Sequence, residues 1–185
     1  QVTLLDLSPV AIELGMRRAR ASGVTVRGIA ADAGQLPMLS DAEFDLVFAF
    51  AALHHTLKYP GAVAELARVM RPGARLVLCE TWGRNPVLNA ARRLRARAAG
   101  EAEEQGEGII MSRRELSALD GDFRDLRVEH LNLLAMGKRM LRGRFGRAWA
   151  RGIVRGLEAL DSALLAIAPP LREWCGEAVI TARRR

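Results

Sequence analysis

Short apolar runs alternate with amphipathic stretches over residues 2–80 of the chain. Residues 2–5 are an apolar run of strand length, as expected of a strand buried on both faces. Ser8-Pro9 predicts a helix start, with serine as N-cap and proline at the first helical position. Ile12, Met16 and Ala19 supply the apolar stripe of that helix, Arg17, Arg18 and Arg20 stay wet, and Gly23 ends it. Residues 24–30 predict a second strand leading into Asp32, and FDLVFAF at 44–50 a third. Residues 62–70 are patterned as an amphipathic helix stopped by Arg71-Pro72-Gly73, and RLVLC at 75–79 predicts a fourth strand. Strand and helix thus alternate, and the strands are apolar throughout. That pattern implies an α/β fold with a doubly wound, mostly parallel sheet and helices on both faces.

The later part is less regular. Residues 89–97 are patterned as an Arg-rich helix, and GEAEEQGEG at 100–108 as an acidic loop. Ser112 and Glu115 form a capping-box pair before a short helix through Leu119. Residues 126–134 predict a strand, and residues 137–168 a long helical insertion, basic and then apolar, cut by glycines and ended by Pro169-Pro170. EAVITA at 177–182 is a closing strand before the Arg183-Arg184-Arg185 tail.

The chain has 185 residues, 50% of them hydrophobic and 26% charged, which fits a single globular domain. No apolar run approaches the length of a membrane span, and the N-terminal residues lack signal-peptide zoning. Cys79 and Cys175 each lie in or beside an apolar run and are expected to be buried thiols, which suits a reducing cytoplasm. The net charge of +7 is unevenly placed. Residues 1–83 carry eight basic and eight acidic side chains, and residues 84–185 carry twenty and thirteen.

Two acids stand out against this pattern. Asp6 lies at the carboxyl end of the first strand, where open α/β sheets bind ligands and an acid can accept both hydroxyls of a ribose. It could equally cap the helix that follows. Asp32 lies at the end of the next strand, so both acids are expected at one sheet edge. A carboxylate there can accept from the exocyclic amine of adenine while the Ala33 N–H meets a ring nitrogen; the alternative is a turn-forming aspartate.

The blocks DLSPVAIELGMRRA, ADAGQLPM, FDLVFAFAALHHT, ELARVMRPGARLVLCE and REWCGEAVITARRR, in this order, resemble those of class I S-adenosylmethionine-dependent methyltransferases, in the small-molecule branch. The resemblance is densest over residues 2–80. It implies that Asp6, with Leu7 beside it, holds the ribose of S-adenosylmethionine, and that Asp32 and Ala33 meet the adenine. It also implies that residues 49–51 pass the methionine part. Where relatives often carry Ser or Asn, this chain has Ala49 and Phe50, which leaves backbone and apolar contacts there. The implied reaction moves a methyl group to O, N or C of a small organic acceptor. Residues 1–83 would form the cofactor-binding part and residues 84–185 the substrate side. A catalytically inert methyltransferase-like binding module is the alternative, and a nicotinamide-dependent dehydrogenase a distant third.

His54 and His55 follow the third strand on the ligand side. Either imidazole can serve as a base, or the pair can order its loop by hydrogen bonds, as expected of a motif shared by enzymes with unlike substrates. Glu80 reads as a substrate contact, a helix cap or a plain strand end. Residues 138–155 hold seven basic side chains and no acid. A solvated face, an anionic-membrane patch and a nucleic-acid contact compete for this run. Few aromatics for base stacking and no nucleic-acid module favour the first, with a peripheral membrane contact next and nucleic acid last. The resemblance also implies a glycine-rich strand–turn–helix ahead of the strand ending at Asp6, and no later glycine has that context. The chain is therefore expected to lack an N-terminal unit, to leave apolar sheet surface uncovered, and to bind S-adenosylmethionine poorly as it stands.

Overall fold

The computed structural model describes residues 1–57, 61–83, 85–98, 111–141 and 143–185, with the side chains of 92, 95 and 96 left out. The acidic stretch 100–108 lies outside the described residues. In chain order the elements are β1 (Val2–Asp6), α1 (Pro9–Ala21), β2 (Val26–Ala30), β3 (Phe44–Phe50), α2 (Leu53–Thr56), α3 (Ala62–Val69), β4 (Met70–Thr81) and α4 (Pro86–Ala98). They continue with α5 (Arg113–Leu116), β5 (Phe123–Leu131), α6 (Ala148–Ile167) and β6 (Glu177–Arg184).

The strands form two groups. β1 and β2 pair in parallel, Asp6 opposite Ala30. The larger sheet has the order β3-β4-β6-β5, with β3 and β4 parallel and β6 antiparallel to both its neighbours. Pairing is therefore mixed, because β5 and β6 each run against the strand beside them. The strand expected at 126–134 begins earlier, at Phe123, with a register shift between Arg124 and Arg127 where Asp125 takes a φ of 56°. β4 likewise begins at Met70 and absorbs the Arg71-Pro72-Gly73 stop, with Gly73 at φ 79°.

One face of the larger sheet carries the core. Leu76, Leu78 and Trp82 on β4 and its extension, with Ala178, Ile180 and Ala182 on β6, are buried there against Leu53, Ala67, Leu116, Leu119 and Phe123. The opposite face is open. Register places Leu46, Phe48 and Phe50 beside Arg75, Val77 and Cys79 on that face, and the three β3 residues are exposed. Among the described residues, α1 lies on β1 and β2, while α2 and α3 lie against β4.

Residues 31–43 connect the two groups. Leu36 and Leu39 from this segment are buried in the core, with Ile29 and Ala31 packed against it. Arg68 on α3 clamps it, donating to the carbonyls of Leu39 (3.0 Å) and Leu36 (2.9 Å) and pairing with Asp41 and Glu65. Glu65 in turn accepts the Leu36 N–H at 2.9 Å. These bonds hold the Glu65 carboxyl below the usual carboxylate range, with the Arg68 hydrogen bond the largest cause.

The helical stretch expected over residues 137–168, cut by glycines, is built of two pieces with a break between them. Its basic first part is a 3₁₀ turn (Ala135–Leu141) and loop, and the helix begins only at Ala148. Gly143, at φ 78°, and Gly146 lie in the break, where the left-handed conformation suits glycine. Asp161 anchors α6 by accepting the N–H groups of Leu134 (2.7 Å) and Ala135 (3.1 Å).

Candidate functional site

The carboxyl ends of β1 and β2 bring Asp6 and Asp32 to one edge. The strands are parallel and in register, and the Ala31 N–H donates to the Asp6 carbonyl at 3.0 Å, which ties the two ends together. Both acids are exposed. Each also makes a local turn: Asp6 Oδ1 accepts the Ser8 N–H and Asp32 Oδ1 the Gly34 N–H, both at 2.8 Å. The turn-forming alternative is therefore observed at Asp32, whereas at Asp6 the cap of the following helix is Ser8 and the carboxylate accepts that residue's N–H. Neither bond excludes ligand binding, since a carboxylate has lone pairs for further donors after one backbone bond. The turns fix each side chain's direction at the edge.

The helix after Asp6 starts as the sequence predicts. Ser8 Oγ accepts the Ala11 N–H at 3.3 Å and Pro9 opens the first turn. Leu7 is 75% exposed and Ala33 partly buried.

At the end of β3, Ala49 packs against the core whereas Phe50 is 67% exposed. Ala51 follows in the left-handed region at φ 49°, an uncommon place for a residue with a Cβ. Its N–H donates to the Cys79 carbonyl at 2.8 Å, which holds the turn.

Glu80 then fixes the loop. Its side chain is buried, and Oε1 accepts the N–H groups of Leu53 (2.8 Å) and Ala52 (3.3 Å). Oε2 meets His54 Nδ1 at 2.5 Å. A buried carboxylate needs such partners, and these three satisfy it. Of the three sequence readings of Glu80, the structure selects the helix cap, and adds the imidazole. His54 is buried and so oriented, with His55 beside it at a ring-centroid distance of 4.0 Å and exposed. The two histidines are thus unlike: one braces the loop from within and the other faces out.

Sequence reasoning included Ala51 in the segment 49–51 but not its left-handed backbone, and it missed His130. Ala51 carries no signal as an alanine, because its positive φ is imposed by the neighbours. His130 on β5 and Glu80 on β4 both register with Ala178, and His130 meets Trp82 edge-on at 5.0 Å. Burial lowers the His130 pKa, the nearby Glu173 opposing this. Only the antiparallel β5–β6 pairing brings it to this row.

Residues 1–78 match the family model described as "Methyltransferase domain". The chain is 38% identical over 80 residues to the demethylmenaquinone methyltransferase of Thermus thermophilus, covering 43% of this chain and 36% of the relative. It is 39% identical over 79 residues to the 27-O-demethylrifamycin SV methyltransferase of Amycolatopsis mediterranei, covering 42% and 29%. Its matches span about a third of the length of these curated relatives. Among solved structures it resembles the geranyl diphosphate C-methyltransferase of Streptomyces coelicolor, with a TM-score of 0.64 at 15% identity, over 100% of this chain and 65% of that one.

Proposed function

We propose, for a chain that has the class I S-adenosylmethionine-dependent methyltransferase fold and carries that family's domain over residues 1–78, that it transfers a methyl group from S-adenosylmethionine to a small organic acceptor. The observation carrying this reading is the edge itself. Two exposed carboxylates end adjacent parallel strands, and a Glu80-braced loop follows β3 in the same chain.

The residues present fit the cofactor. Asp6 would accept from the ribose hydroxyls, with Leu7 beside it, and Asp32 from the adenine amine next to the Ala33 N–H. Ala49 and Phe50 would offer backbone and apolar contact to the methionine part. When bound, S-adenosylmethionine supplies an electrophilic methyl group on a sulfonium, already a good leaving group. The protein's task is then mainly to hold donor and acceptor in line. As the acceptor's O, N or C bonds the methyl carbon, an acceptor that carries a proton must lose it. His55, exposed beside the braced His54, is the imidazole suited to take it. His54 itself orders the loop through Glu80.

The relatives act on a demethylmenaquinone and a demethylrifamycin by their names, and a structural neighbour on geranyl diphosphate. These support a small acceptor with an apolar body for this chain too. The test is methyl transfer from S-adenosyl-[methyl-³H]methionine to a panel of quinol, polyketide and isoprenoid acceptors. Label in an acceptor supports the reading, and cofactor binding with no transfer to any class would instead favour an inert binding module.

A further inference from the structure

Helix α6 is held to the body on one side and presents an uncovered apolar stripe on another. Its anchored side carries Asp161, buried and bonded to the backbone of Leu134 and Ala135, together with buried Ala150. Trp149, Ile153, Leu160 and Ile167 stand at positions about one, three and five turns apart, which aligns them on one face. They are exposed by 48, 48, 47 and 82%. Around the helical wheel, Gly152, Gly156 and Ala163 lie next to the stripe, Arg155 lies beyond them, and Arg151 is on the opposite side of the helix. Met140 and Phe145, also exposed, precede the helix.

Residues 143–157, the turn and the first part of the helix, carry four basic side chains and no acid. Arg144, Arg147, Arg151 and Arg155 are exposed, and none of them pairs with a described carboxylate, whereas Lys138 and Arg139 pair with Glu158 and Glu177. Arg151 also donates to the Gly146 carbonyl at 2.6 Å, fixing the turn that leads into the helix. A shallow hollow of about 220 Å³, lined by Phe145, Arg151, Val154, Arg155 and Glu158, lies on the side of the helix away from the stripe.

We infer that α6 and the turn before it form a docking surface for an anionic lipid bilayer. The occupant must satisfy two chemistries at once. An apolar stripe bearing a tryptophan, with Arg144 and Arg147 in the turn before it and Arg155 beyond its small-residue margin, suits the boundary between acyl chains and headgroups. The long side chain of Arg155 can reach past the small Gly and Ala margin to lipid phosphates, and Arg144 and Arg147 can do so from the turn before the helix. A nucleic acid would meet the arginines but leave the stripe without a partner. A second copy of the chain would bring like charges together. No described helix is long and apolar enough to cross a membrane, so the contact is peripheral. Because Asp161 holds the helix in place beforehand, the surface is preformed. The inference stands on this surface alone, independent of the proposed reaction.

The experiment is sedimentation of the protein with vesicles of equal parts phosphatidylglycerol and phosphatidylcholine, beside phosphatidylcholine alone, with tryptophan emission read on the same samples. The expected result is binding to the anionic vesicles that weakens with salt, and a blue shift. Trp149→Phe should keep binding but lose most of the shift, which separates Trp149 from the exposed Trp174. Ile153→Asp with Leu160→Asp should lower binding at least tenfold. Arg144→Glu with Arg155→Glu should lower it about tenfold. Both pairs are exposed, and an unchanged circular dichroism spectrum and thermal midpoint will verify the fold. No association with anionic vesicles overturns the inference, as does binding that both pairs leave unaltered. So does a dimer, seen by ultracentrifugation, that Leu160→Asp dissociates in a protein that ignores vesicles.

Discussion

The β1–α1–β2 unit and the four-stranded sheet carry different halves of the proposed site on very different amounts of packing. In the first, Ile12 is the one residue of the three elements classed as buried, and Val2, Leu5, Val10 and Leu14 are exposed. In the second, Leu76, Leu78, Trp82, Ala178 and Ile180 are fully buried. The acids assigned to the cofactor therefore sit on a lightly packed unit clamped by Arg68. The histidine loop instead is tied into the core by Glu80. Local opening draws on regions with few buried apolar contacts. The acid-bearing edge should accordingly be the part that ligand steadies, while the core sets global stability.

The largest expected effect tests the core side. Leu78→Ala should cost about 2–5 kcal/mol in denaturant unfolding. Ile12→Ala should fall at or below the bottom of that range and show chiefly as faster amide exchange in β1 and β2. Equal global losses would erase the contrast.

Next comes the acid edge. Asp6→Ala should weaken S-adenosylmethionine binding by about 2–3 kcal/mol through lost charge-assisted hydrogen bonds. Asp32→Ala should cost less. Neither should move the unfolding midpoint of the unliganded protein appreciably. Calorimetric titration reads the affinities, and unchanged values in both variants would remove the ribose and adenine assignments together.

The two histidines sharpen the comparison. His55→Ala should lower turnover by about 10²-fold with cofactor affinity held. His54→Ala should instead lower stability, because it leaves the buried Glu80 carboxylate short of a partner, at about 1–3 kcal/mol. A turnover loss confined to His54, with stability intact, would reverse the roles given to them.

The smallest effect is at the joint. Arg68 depresses the Glu65 carboxyl in the folded protein relative to its ordinary value of 4.5. The folded state thus holds Glu65's proton less tightly than the unfolded chain does. Its contribution is present in full above pH 4.5 and is lost as the pH falls through the depressed folded value. Thermal midpoints in mild acid should decline more steeply for the native protein than for Glu65→Gln.

Local rules recovered most elements. The Ser8-Pro9 start of α1, the Ser112–Glu115 capping box, the FDLVFAF strand and the closing strand all stand where caps and apolar runs place them. These depend on contacts within a few residues, so sequence specifies them. Over residues 137–168 the glycines marked a cut in the helical stretch but not its place, since left-handed Gly143 and the turn after it delay α6 to Ala148.

By itself the sequence determined that two acids end successive strands and that a paired histidine follows the third, since strand ends are set by local pattern. Tertiary structure alone decided which histidine is buried against Glu80 and which is exposed, because Glu80 and His54 are twenty-six residues apart and meet only when β3 and β4 pair. It decided likewise that Phe48 and Phe50 lie bare while Val47 and Ala49 face the core. Neighbouring residues of one apolar strand point to opposite faces, and only the placement of the helices determines which face is covered.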